Sequence, residues 1–482
     1  MLAGGAAGVA MLTALAIWVF SPGPEPGPTE DAASQQSKNK PEDTKKAEKK
    51  SSDAQDGKSK KDESSEKQKP DAPVSAEKEE ADDKPDGGKP EEPAPSPALG
   101  KDSPEIKALV AAYEGKNYPE AWRLSAPLID AGNPIAQFYR ARMLHLGQGV
   151  QKNNAEAATW YRKAADQGEP RAQNNLGLLL AWGQGVAKNQ ADAAKRFRSS
   201  AEGGSAHGQY NYADALEFGK GVAEDKKEAF RWYLKSAEQG YETAEHRVGV
   251  LLANGIGVLR NDVEAIKWLR KAAERGYAPA QNTLGVHYAD GRGVEKSPPE
   301  AMVWYEKAAK GGNVDAQYNL GLNYRFGQGV RRDYGHALYW LEKAAQKNHA
   351  FAQNMLGLMY QAGQGVRRDA KQAGLWYAKA ADQGMAAAQT NLGHLMFKGA
   401  RGLRRNPNFA ASLYRKAAEQ GYSPAQRSLG DILLKGKGVA KNFEEGVSWL
   451  VKAAAQGDQQ AQKTLTRMNI KFDAQENRQA GN

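Results

Sequence analysis

Residues 172–186 read AQNNLGLLLAWGQGV, and residues 187–204 continue AKNQADAAKRFRSSAEGG. In the first block Ala172, Leu176, Gly177 and Leu180 follow helical spacing, which predicts an amphipathic helix, here called A. The second block predicts a shorter-range partner, helix B, with Ala193 on its apolar face. Between them, Gly183, Gly185 and Val186 suit a tight turn that leaves helix A through a left-handed residue. One such helix pair cannot bury its own faces and needs neighbours.

Repetition supplies the neighbours. The segment A-Q-x-x-L-G, or a close variant, begins at Ala136, Ala172, Gly208, Ala244, Ala280, Ala316, Ala352, Ala388, Ala425 and Ala461. Every spacing is 36 residues except one of 37, where Ala400 or a neighbour is inserted into the loop. The register predicts nine full repeats and a C-terminal half-repeat. In helix B an alanine recurs three residues before Trp160, Trp232, Trp268, Trp304, Trp340 or Trp376, and a tiny residue beside a huge one lets neighbouring helices interlock. Helix B ends at Gly168, Gly204, Gly240, Gly276, Gly312, Gly384, Gly421 and Gly457, with Asn348 taking that place once. Asparagine tolerates the left-handed conformation best after glycine, so the exception fits the rule.

The rest of the chain reads differently. Residues 1–20 form an apolar run of about the length that spans a bilayer. Trp18, Val19 and Phe20 run into Pro22, which favours an uncleaved anchor over a cleaved signal segment. Residues 21–103 have no Phe, Trp or Tyr and carry 21 acidic and 15 basic side chains, the composition of a disordered, proline-bracketed linker. Residues 104–482 carry 52 basic and 36 acidic side chains, so the repeat region is strongly basic. The expected plan is therefore a transmembrane anchor at 1–20 and a linker at 21–103. A degenerate capping repeat at 104–135, nine repeats at 136–460 and a half-repeat with a frayed tail at 461–482 follow. The expected fold class is all-α, an α/α solenoid of helix pairs preceded by the membrane helix and the linker.

The 36-residue period, A-Q-x-x-L-G, G-x-G-V and W-Y-x-K-A-A-x-Q-G together resemble the Sel1-like repeat, a relative of the tetratricopeptide repeat. The resemblance covers about 325 residues. It implies right-handed superhelices of antiparallel helix pairs and an adaptor or scaffold role, in bacteria often exported and linked to envelope assembly, signalling or host contact. The expected function is a membrane-anchored scaffold that mediates protein–protein interactions in the bacterial cell envelope. Its repeat domain would lie outside the cytoplasm and its anchor in the inner membrane.

In stacked helix pairs helix A usually lines the concave side. With Ala172, Leu176, Gly177 and Leu180 buried, the opposite face holds Asn175, Leu179 and Trp182, and their equivalents in the other repeats. The partner-binding candidates are Asn175, Asn211, Asn319 and Asn391 with the aromatics Trp182, Phe218 and Phe326. An amide both donates to and accepts from a peptide backbone, which suits an extended segment; the same amides also suit tying one repeat to the next. A second candidate is a basic stripe in the loops: Lys152, Lys188, Arg260, Lys296, Arg332, Arg368, Arg405 and Lys441, interrupted by Glu224. It points either to an acidic polysaccharide or cell-wall polymer, or to solvated loops whose cations follow helix C-termini.

Protein partners are expected, with an acidic polymer as the alternative; no nucleic acid and no cofactor is expected. Seven histidines fall at unrelated repeat positions without metal-ligand spacing, and the chain has no cysteine. The signatures H-E-x-x-H, G-x-x-x-x-G-K-[ST] and G-x-S-x-G do not occur. Some secreted relatives are cysteine-rich and described as β-lactamases, but their paired cysteines are missing here, so a hydrolase is the remotest reading.

Overall fold

Helix follows helix through residues 103–470, the part of the chain that the computed structural model describes. A leading pair, α1 (Pro104–Glu114) and α2 (Tyr118–Asp130), precedes the repeats. Repeats 1 to 3 are α3 (Pro134–Leu146) with α4 (Asn154–Asp166), α5 (Pro170–Trp182) with α6 (Gln190–Glu202), and α7 (Ala206–Glu217) with α8 (Lys226–Glu238). Repeats 4 to 6 are α9 (Glu242–Asn254) with α10 (Asp262–Glu274), α11 (Ala278–Asp290) with α12 (Pro298–Lys310), and α13 (Val314–Phe326) with α14 (Tyr334–Gln346). Repeats 7 to 9 are α15 (Ala350–Ala362) with α16 (Ala370–Asp382), α17 (Ala386–Lys398) with α18 (Pro407–Glu419), and α19 (Ser423–Lys435) with α20 (Phe443–Ala455). The half-repeat is α21 (Gln459–Arg467). The described residues thus form an all-α solenoid of paired helices. The proposed anchor at 1–20, the linker at 21–103 apart from its last residue, and the tail from 471 lie outside them. None of the described helices is long and apolar enough to cross a membrane.

Local chemistry sets the punctuation. Each helix B starts at a polar cap, Asn153, Asn189, Asp225, Asn261, Ser297, Asp333, Asp369, Asn406 or Asn442, whose side chain accepts a first-turn backbone N–H. Asn348 adopts φ +63°, the left-handed value its glycine counterparts also take at positive φ. The 37-residue spacing is absorbed by a short turn in which Ala400 and Leu403 exchange backbone hydrogen bonds at 3.1 and 2.9 Å.

One expectation about packing is extended and another is corrected. The most deeply buried large residue of helix B is the one after the tryptophan position: Tyr161, Tyr233, Tyr377 and, after Leu413 in repeat 8, Tyr414 are fully buried. Each such ring needs a small residue opposite on helix A; a Cβ on Gly357 would lie 2.5 Å from the Tyr377 ring. The tryptophans sit at the rim, between helix B of one repeat and helix A of the next, each covered by the lysine three residues on. Lys235 lies 3.8 Å from the Trp232 ring centre and Lys271 lies 4.4 Å from that of Trp268. These lysines near the end of helix B thus help to seal the seam.

The correction concerns helix A. Leu179, assigned to the outward face, is fully buried, as are Met143 and Leu251 at equivalent places. An A helix touches its own B helix and the preceding B helix, and α5, which carries Leu179, also meets the next A helix α7 directly. Three contact directions leave no broad free face, so a two-faced helix was the wrong template.

Candidate functional site

The row of A helices carries two ladders of amides. The inner ladder is the glutamine of A-Q-x-x-L-G. Gln353 is buried, donates to the Ala345 carbonyl of the preceding B helix at 3.1 Å, and accepts from Gln383 at the end of its own B helix at 2.7 Å. One side chain thus joins three helices, and Gln281, Gln317, Gln389 and Gln426 make the same bond to the preceding B helix. In repeat 4 this glutamine is replaced by Glu245, which is 1% exposed and paired with Arg275, the residue that replaces the outer glutamine.

The outer ladder contains the asparagine candidates. Asn211 donates to Asn174 at 2.7 Å, Asn319 to Asn282 at 3.1 Å and Asn391 to Asn354 at 2.9 Å, each bond crossing from one repeat to the next. Asn175 donates to the Tyr161 hydroxyl at 3.1 Å, and Asn174 donates to Asn175. Of the two readings open from sequence, these bonds are the ones that tie repeats together. His246 and Thr283 continue the ladder at 3.0 Å.

Burial pushes His246 down to about 4, while in an unfolded chain it titrates near its ordinary 6.5. The folded state therefore resists protonation there. Stability should be full above pH 6.5, decline as the pH falls towards 4, and level off below it. The loss at His246 amounts to up to about 3 kcal/mol. Thermal melts from pH 7 to 4.5 check this, and His246→Gln should flatten the slope.

The aromatic candidates lie differently. Trp182, Phe218 and Phe326 occupy the same position at the C-terminal end of their A helices and stay 43%, 49% and 44% exposed. Lys220 and Arg247 flank the Phe218 ring at 4.8 and 5.6 Å, and Arg325 flanks Phe326 at 4.9 Å. A flat apolar face edged by cations is left open to solvent.

The eight basic-stripe residues are all exposed in the A–B loops. Their Cβ atoms fold back beside the glycine that ends helix A, as Lys152 does at Gly147 and Arg332 at Gly327. Arg260 pairs with Asp262 at 2.5 Å and Arg405 donates to the Phe397 carbonyl at 3.1 Å. Carboxylates from the following helix starts, such as Glu156 and Glu300, stand one turn away and dilute the positive field. No group of three metal-ligating side chains comes together among the described residues.

Sequence reading missed Gln353-type clamps because a buried glutamine looks like a polar surface residue. Its signal was available: where A-Q becomes A-E at Glu245, Q-G becomes R-G at Arg275.

A stack of two-helix units joined by buried amide ladders, with exposed aromatics at its edge, defines a helix-pair repeat protein. The chain belongs to the Sel1 repeat family, whose pattern matches residues 134–169, 170–205, 206–241, 243–277, 278–313, 314–349, 350–385, 386–422 and 423–458. Proteins of this family generally mediate protein–protein interactions. The chain is similar to the crystal structure of a protective antigen present in uropathogenic Escherichia coli strains and displaying an SLR fold. Identity there is 34%, over 77% of this chain and 81% of that one, with a TM-score of 0.61. It is also similar to a Sel1 repeat protein from Oxalobacter formigenes, 30% identical over 64% of this chain and 89% of that one, with a TM-score of 0.50. Comparison with curated proteins gives no match.

Proposed function

We propose that this chain is a scaffold that holds protein partners along its row of A helices, using Trp182, Phe218 and Phe326 as anchors. The single observation that carries this is that all three, at one register position of their A helices, stay 43–49% exposed, whereas the other aromatics left as open, Tyr339, Phe409 and Phe443, belong to B helices. Aromatic side chains left half open give binding area without large ordering losses. The asparagines support the site by fixing the spacing of the repeats, since their amides are engaged between repeats.

The proposal extends to place. Residues 1–20 act as a single-pass anchor in the inner membrane, 21–103 as the spacer, and the repeats work outside the cytoplasm in the cell envelope. The apolar run at 1–20 supports the anchor. Similarity to a protective antigen supports the exported repeat domain.

Photo-crosslinking from positions 182, 218 and 326 of the full chain in cells tests the scaffold. Defined proteins should be recovered, and Trp182→Ser with Phe326→Ser should lower their capture about tenfold or more while leaving the melting temperature within a few degrees. Recovery of no protein, or of the same proteins from positions on the far side of helix B, overturns the reading. A second reading, an acidic polymer on the loop stripe, is favoured by the recurrence of a cation in eight loops. It requires binding that disappears in high salt and in Arg332→Glu with Arg368→Glu, whereas anchoring by aromatics survives both.

A further inference from the structure

Seven of the nine repeats place tryptophan at one position of helix B. Trp304 shows its role: it packs with Leu284 and Tyr288 and closes the seam between α10 and the α11–α12 pair, and Lys307 lies 4.0 Å above its ring. Repeat 2 departs from this pattern, with Arg196 in place of the tryptophan and Ser199 in place of the lysine. Leu176 and Leu180 stand where Leu284 and Tyr288 stand in repeat 5; Leu176 is fully buried and Leu180 is 9% exposed beside the arginine. A cleft of about 310 Å³ lies here, with Leu180 at its floor, Leu176 buried behind it, and Arg162, Asp192, Lys195 and Arg196 as its walls. Repeat 8 also lacks the tryptophan, but there Leu413 is buried and takes up the space.

Charge accounting narrows what this cleft takes. Arg196 is neutralised by Asp166 at 2.8 Å and Lys195 by Asp192 at 3.3 Å. Arg162 has no ion pair or hydrogen bond among the described residues, so one guanidinium is left over beside an apolar floor. A guanidinium presents a planar fork that matches a carboxylate with two parallel hydrogen bonds. We propose that the repeat 2 cleft is a receptor for one carboxylate on a short methylene stem, the glutamate side chain of a partner polypeptide. The carboxylate meets Arg162 and the stem lies on Leu180, with the buried Leu176 behind it. A phosphate dianion or a polyanion brings more charge than the one unpaired cation balances. The polypeptide source of the carboxylate rests on the scaffold reading; the affinity of the cleft for the group does not.

The test uses the full chain with methyl-labelled leucines and three probes: N-acetylglutamic acid α-amide, its glutamine analogue and inorganic phosphate. The glutamic acid probe should shift the Leu176 and Leu180 methyl signals saturably, with a Kd of about 1–10 mM. The glutamine analogue should bind about tenfold more weakly, as should the glutamic acid probe to Arg162→Gln. Arg196→Trp combined with Ser199→Lys gives repeat 2 the residues of its neighbours; it should abolish the response while keeping or raising the melting temperature. Equal shifts with phosphate, equal binding of the glutamine analogue, or a response that persists in the filled variant overturns the proposal. Should the cleft bind the probe in a chain that crosslinks to no protein, the polypeptide source fails and the scaffold reading fails with it. Should partners be captured while the probe does not bind, only the cleft is refuted.

Discussion

Arg275→Ala is expected to destabilise the stack by about 3 kcal/mol and to split its unfolding into two transitions. Glu245 is buried on α9, and Arg275 at the end of α10 is its charge partner. Removing the guanidinium leaves a carboxylate enclosed without its counter-ion, which is far worse than never having had the pair. Repeats 1, 3, 7, 8 and 9 meet the same need with two glutamines, joined by bonds of 2.7–3.0 Å as in Gln167 to Gln137 and Gln239 to Gln209. Glu245→Gln with Arg275→Gln should therefore recover most of the stability lost by Arg275→Ala. Denaturant midpoints of the wild type, the single variant and the double variant decide it. A double variant no more stable than the single one would mean that the ladder is not interchangeable between repeats.

Gly257→Ala should have an effect at least as large, about 3–5 kcal/mol. Gly257 is the second glycine of its loop, with φ +70°, and an added Cβ would stand 2.0 Å from the Lys226 carbonyl oxygen of the preceding repeat. Left-handed strain and a collision with backbone add together, and neither is relieved by turning a side chain. Gly402 provides the comparison: φ is +81°, but nothing lies within 4 Å of its added Cβ. Gly402→Ala should cost only about 1–2 kcal/mol, the price of the left-handed conformation alone. Equal losses at the two positions, read from thermal or denaturant unfolding, would show that loop contact between repeats contributes little.

These two glycines also mark how far the sequence can be read. The recurrence of G-x-G-V gave the turn, and the period gave the number of repeats, because each depends on local backbone conformation. That the second glycine is pressed against another repeat depends on how loops stack, which no single repeat contains. The same limit explains Leu179: its helix has a helical apolar pattern, but the pattern cannot say that three sets of neighbours surround it. Trp304 and Tyr305 look interchangeable as core residues in sequence, and only the stack puts the tyrosine inside and the tryptophan at the seam. Of the candidate site, register puts Trp182, Phe218 and Phe326 on the helix A face opposite Leu176, the same face as Leu179; the aromatics are half-exposed and Leu179 is buried. Asparagines 211, 319 and 391 stand out in sequence by recurrence, while their bonding partners one repeat back emerge only from the packing.

Order that comes from neighbours makes a demand on truncated arrays. Residues 133–168, 133–241 and 133–349 comprise one, three and six of the repeats. If stacking holds the fold, the single repeat should show little helix by circular dichroism, and the denaturant midpoint should climb from three repeats to six to the full array. A single repeat that folds cooperatively, with a midpoint equal to that of the whole array, would contradict the account.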